Sequence, residues 1–73
     1  MKIRPEEPEK LIRRKKVEEI TTLSRSRIYY LMQKDQFPKP ISLGKMSVAW
    51  IESEVQEWVN ARITEFRKST ETL

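Results

Sequence analysis

Arg25 and Arg27, one residue apart behind Ser24 in the run LSRSRIYYLM, are the side chains of this 73-residue chain whose type and spacing best suit a chemistry. A guanidinium presents five N–H donors in a planar fork that matches either the O6 and N7 edge of guanine or the oxygens of a phosphate. Both arginines fall in the first turn of an expected helix that Ser24 can cap, a place where the helix dipole favours acidic residues. Two cations there carry a small local cost that an anion from outside would offset. The chemistry they suit is recognition of a base edge or a phosphate.

Catalysis has no comparable footing. Histidine and cysteine are both absent, which removes the commonest general base, the commonest metal ligand, a thiolate metal site and any disulfide. Ser24, Ser26, Ser47 and Ser53 therefore lack a histidine to activate them. Glu18 and Glu19 point about 100 degrees apart on a helix, and Glu54 and Glu57 are i, i+3 neighbours on a solvated face. With one glycine in the chain, a glycine-rich phosphate loop is excluded. The expectation is a protein that is not an enzyme and uses no metal and no cofactor.

Positioning the arginines requires two helices and a turn. Val17 and Ile20 are three apart on a first helix expected over 16–22, Leu23 lies in the turn, and Ile28, Leu31 and Met32 repeat at i, i+3, i+4 on a second helix over 25–34. These six should share one core. The second helix should stop before Pro38 and Pro40, since proline disfavours helix in the residue before it, with Phe37 filling the core at the bend. Leu11 and Ile12 read as a short strand or extended lead-in. Ile41 and Leu43, then Val48 and Trp50, alternate about a tip at Gly44–Ser47, so residues 41–50 should form a hairpin whose four apolar residues lie on the helices. Val55, Trp58, Val59, Arg62 or Ile63, and Phe66 make one stripe at helical spacing on a third helix from Glu52–Glu54 to about Lys68, with Trp58 in the core and Glu52, Glu54 and Glu57 favourably near its start. The fold class is mostly α with a small β-hairpin, a winged helix-turn-helix. The expected organisation is a disordered arm over 1–10, one domain over 11–68 and a frayed tail over 69–73.

Charge supports the same layout by position more than by total. Residues 1–16 hold seven Lys or Arg against three Glu, residues 17–50 five against three acids, and residues 51–73 three against five. A positive field over the first two thirds attracts polyanions, although a net +4 alone fits a solvated surface equally. No apolar run approaches the roughly 20 residues of a membrane span, and the opening MKIRPEEPEK is not an apolar signal segment. A cytoplasmic, nucleoid-associated protein follows.

With Ile28 taken as the inward direction of the second helix, Ser26, Tyr30 and Gln33 point outward and Arg27 and Tyr29 flank them. Arg25 stands at the helix start, where such a helix meets the major groove of double-stranded DNA. For Arg25 and Arg27, base edge and phosphate remain equal alternatives. Of the two tyrosines, Tyr30 is the better placed to reach a phosphate or a thymine methyl. Lys45 at the hairpin tip and Lys39 before it suit phosphate or minor-groove contact, or mere solvation, and the run Arg13, Arg14, Lys15, Lys16 can lie near the backbone without reading sequence.

The segments LSRSRIYYLM, FPKPISLG and AWIESEVQEWV, in this order across residues 11–62, resemble the AlpA-like family of small prophage regulators and excisionases, whose fold is similar to the winged helix of MerR-type DNA-binding domains. The resemblance implies that Ser24, Arg25, Ser26, Arg27 and Tyr30 belong to a recognition helix and Lys45 and Ser47 to a wing. It implies an excisionase that directs an integrase, a tyrosine recombinase, toward excision, or a transcriptional regulator of integrase or prophage genes. The expected state is a monomer in solution that meets adjacent copies of itself on DNA. A protein-interaction adaptor is the alternative of another class. Two departures stand out: Thr22 occupies a turn position where relatives often have glycine, and Lys45, Met46 and Ser47 form the tip where relatives often carry arginine.

Overall fold

The computed structural model describes residues 8–71, in the order β1 (Leu11–Ile12), α1 (Arg14–Thr21), α2 (Arg25–Gln33), β2 (Ile41–Gly44), β3 (Ser47–Ile51) and α3 (Glu52–Glu71). The expected helix-turn-helix, hairpin and last helix are all present, and the class is mostly helical with a small sheet. Of the expected arm, residues 1–7 lie outside the described residues. Glu9 accepts a hydrogen bond from Ser53 Oγ at 2.9 Å, and the Lys10 carbonyl accepts one from the Glu52 N–H at 2.8 Å. At the other end, α3 remains helical through residue 71, beyond the point where a frayed tail was expected to begin.

Apolar spacing sets the core. Ile12, Val17, Ile28, Leu31, Phe37, Trp50 and Val55 are buried in one cluster, with Ile20, Leu23, Met32 and Trp58 packed against it. All six residues expected to join α1, the turn and α2 are therefore in or on that core. Helix α1 starts two residues earlier than its apolar pattern indicates, so Arg14, Lys15 and Lys16 form its first turn. Two i, i+3 and i, i+4 pairs, Lys16 with Glu19 and Arg14 with Glu18, give those cations acidic neighbours and moderate their conflict with the dipole.

Helix α2 ends ahead of the prolines, within one residue of the expected Lys34, and does so by a Schellman motif. The Gln36 N–H bonds the Leu31 carbonyl at 2.8 Å and the Asp35 N–H bonds the Met32 carbonyl at 3.1 Å, with Asp35 in the left-handed region at φ 58°. The loop that follows is fixed by two indoles: Trp58 Nε1 donates to the Gln36 carbonyl at 2.8 Å and Trp50 Nε1 to the Pro38 carbonyl at 3.0 Å. Trp58 is thus half core, with its ring edge on Phe37 at 4.9 Å and its remaining surface open.

Strand β1 adds to the hairpin, giving an antiparallel sheet in the order β1-β3-β2. Ile12 pairs with Trp50 on the face that meets the helices, while Leu11 pairs with Ile51 and Ile41 with Ala49 on the other. This corrects one expectation. Of the four alternating hairpin residues, Trp50 is fully buried, but Ile41, Leu43 and Val48 keep 38%, 47% and 36% exposure. Ile41 lies on the face away from the helices, a register shift between Ser42 and Gly44 displaces Leu43, and Val48 lies farther out along the hairpin than Trp50. The α3 stripe divides in the same way: Val55 is buried and Trp58 and Val59 are partly covered, but Ile63 and Phe66 are exposed.

Candidate nucleic-acid interface

Between α1 and α2 the chain turns through Thr22, at φ 63° and ψ 13°. This turn position is therefore left-handed, and a β-branched residue holds it. Thr21 organises the turn: its hydroxyl donates to the Val17 carbonyl at 2.8 Å and accepts from the Leu23 N–H at 3.1 Å. The hydroxyl of Ser24 then caps α2, accepting from the Arg27 N–H at 3.2 Å. Three short side chains thereby set the angle at which α2 leaves α1.

That helix buries Ile28 and Leu31 and exposes Arg25, Ser26, Arg27, Tyr29, Tyr30 and Gln33. The Arg25 guanidinium lies 5.8 Å from the Tyr29 ring centroid, and that of Arg27 5.1 Å from Tyr30. Lys34, which the sequence reading did not single out, places its ammonium 5.6 Å from the same Tyr30 ring. Its i+4 spacing from Tyr30 was the available signal.

The hairpin turns through Lys45 and Met46 between the paired Gly44 and Ser47, with Met46 at φ 54° and Gly44 at φ 148°. Lys45 and Met46 are exposed at the tip. Arg13, which precedes α1, straps this hairpin to the body, its Nη1 donating to Ser47 Oγ at 3.1 Å and to the Val48 carbonyl at 2.9 Å. No local pattern could reveal a contact across 34 residues. Ser47 is thus engaged by Arg13, and Ser24 by its own helix.

The remaining cations separate into two groups. Arg14 and Lys16 pair with acids on α1, and Lys39 pairs with Asp35 at 2.9 Å. Arg62 pairs with Glu65 on α3, whereas Lys10, Lys15, Arg25, Arg27, Lys34, Lys45, Arg67 and Lys68 have no carboxylate at ion-pair distance among the described residues. Arg25, Arg27, Lys34 and Lys45 lie on α2, its C-terminal cap or the hairpin tip, so the expected recognition segment holds its positive charge without internal neutralisation. Such a surface attracts polyanions. A separate open recess of about 640 Å³ is lined by Asp35, Phe37, Pro38, Glu54, Glu57, Trp58 and Arg62, among others.

Residues 10–63 match the family described as "Prophage CP4-57 regulatory protein (AlpA)". The chain is also similar to "Uncharacterized protein ORF88" of Enterobacteria phage P4, with 46% identity over 55 residues that make up 75% of this chain and 62% of that relative. It thus spans less than two thirds of the relative's length.

Proposed function

Because this chain belongs to the AlpA family of prophage regulatory proteins, we propose that it is a sequence-specific double-stranded DNA-binding protein of a mobile element, with α2 in the major groove and the β2–β3 hairpin as a wing on the adjacent backbone. The observation that carries this reading is the set of unneutralised cations on α2, at its cap and at the hairpin tip. Within it, Ser24, Arg25, Ser26, Arg27, Tyr29, Tyr30 and Gln33 form the recognition segment. Lys45 and the flanking Lys15 reach phosphates, while Arg14, Lys16, Lys39 and Ser47, each held by an internal partner, contribute less.

Its role is that of an excisionase, which shapes attachment-site DNA so that an integrase of the tyrosine recombinase class runs toward excision. A module of this size buries roughly 600 to 1,000 Å² on DNA, so occupancy requires adjacent copies on neighbouring sites. Binding through about five phosphates gives a log-log salt slope near −4.5. An in vitro excision reaction with the cognate integrase tests the role: the chain should be required, and full excision without it would reject the excisionase reading in favour of transcriptional control of integrase or prophage genes.

A second reading, as a protein-interaction adaptor, draws on the acid-lined recess at Trp58 and on exposed Phe66. Both surfaces lie on elements other than α2, so an excisionase could contact DNA and a protein partner together.

A further inference from the structure

The outer face of α2 divides into three strips. At about 100 degrees per residue, Arg25 and Tyr29 lie roughly 60 to 100 degrees from the Ile28 direction on one flank. Arg27 and Lys34 lie roughly 100 to 120 degrees round on the other flank, and Ser26, Tyr30 and Gln33 occupy the outermost strip between, roughly 140 to 160 degrees from Ile28. Each flank's cations meet a different tyrosine: Arg25 lies against Tyr29, whereas Arg27 and Lys34 both lie against Tyr30.

A helix lying in a major groove about 12 Å wide turns its outermost strip to the base edges and its flanks to the phosphate walls. Arg25 and Arg27 leave the helix from its flanks, and each guanidinium lies against a ring of its own helix. Ser26 and Gln33 are exposed, and neither side chain has a hydrogen-bond partner among the described residues, so their polar atoms are free for bases. A glutamine amide can bond adenine N6 and N7 together.

We infer that α2 separates its tasks by strip: Ser26 and Gln33 read base edges, while Arg25 on one flank and Arg27 with Lys34 on the other hold the phosphates of the two groove walls. Tyr29 and Tyr30 are positioning residues, whose rings keep the cations on the flanks. The inference rests on the DNA-binding reading above and assigns Lys34 a phosphate contact.

The test begins with the full chain and a randomised 20-base-pair duplex pool, from which a preferred duplex is selected and compared with a scrambled one over a salt series. Arg27→Gln and Lys34→Gln should weaken both duplexes by the same factor and each reduce the log-log salt slope by about 0.9. Gln33→Ala should leave the slope unchanged and flatten preference at one base pair by about 5- to 150-fold. Tyr30→Phe, which keeps the ring, should behave as wild type, whereas Tyr30→Leu should reduce the slope. A base-specific loss in Lys34→Gln or Arg27→Gln, or an unchanged slope in Lys34→Gln, would overturn the division of tasks. If the wild-type chain bound no duplex, the DNA reading itself would fall, an outcome distinct from a redistribution among the variants.

Discussion

Thr22 offers the sharpest test of how the turn between α1 and α2 is built. Its backbone is left-handed at φ 63°, its N–H donates to the Glu18 carbonyl at 2.7 Å, and its hydroxyl bonds the neighbouring Thr21 carbonyl on an exposed surface. An L-residue in this region carries a cost of about 1 to 2 kcal/mol, and a β-branched side chain lies at the upper end. Thr22→Gly removes that cost but adds unfolded-state freedom worth about 0.5 to 1 kcal/mol. The net gain is about 1 to 1.5 kcal/mol, which for a domain of this size corresponds to a rise in Tm of roughly 4 to 12 °C. Thermal melting followed by circular dichroism at 222 nm, with urea unfolding to verify an unchanged m-value, measures it. Thr22→Ala keeps its Cβ and should recover less than half of the gain. A fall in Tm for Thr22→Gly at constant m would mean instead that the threonine contributes more through its contacts than its backbone costs.

Other perturbations address neighbouring parts of the same framework. Thr21→Val keeps shape but leaves the Leu23 N–H without its acceptor, and should lower stability in urea unfolding by about 1 to 3 kcal/mol. Ser24→Ala removes the cap of α2 and should cost about 1 kcal/mol, read as a lower urea midpoint. Arg13→Gln releases Ser47 and the Val48 carbonyl; amide hydrogen exchange should accelerate in residues 41–50 while α2 is unaffected, and equal acceleration throughout would argue against a local strap.

The sequence made the helix-turn-helix readable because its signals are local: Val17 and Ile20, then Ile28, Leu31 and Met32, carry helical periodicity, and Ser24 is a strong cap. Thr22 was legible as the unusual residue of the turn for the same reason, since left-handed backbone is a property of one position. The end of α2 was legible to one residue from the prolines ahead, but its closure was not, because Asp35 ends it by backbone bonding that composition does not encode. Hairpin alternation located the strands but not their burial. Ile41 and Val48 look equivalent to Trp50 in sequence, yet exposure depends on which face and how far along the sheet the helices reach. Arg13 and Ser47 meet across 34 residues, and Lys34 became part of the candidate surface only once the Tyr30 ring was placed. Among the candidate residues, local geometry separates Arg25 and Arg27, which lack carboxylate partners, from Lys39, which lies against Asp35.

On the proposed reading, the outer face of α2 and the hairpin tip form the DNA surface. Titrating the ¹⁵N-labelled chain with a selected duplex and following backbone and side-chain NMR shifts tests it most directly. The largest changes should fall on residues 24–34 and 44–47, with the Trp58 indole and the exposed half of α3 little altered. Changes concentrated around Trp58, Ile63 and Phe66, with the Arg25 to Lys34 signals unmoved, would contradict it.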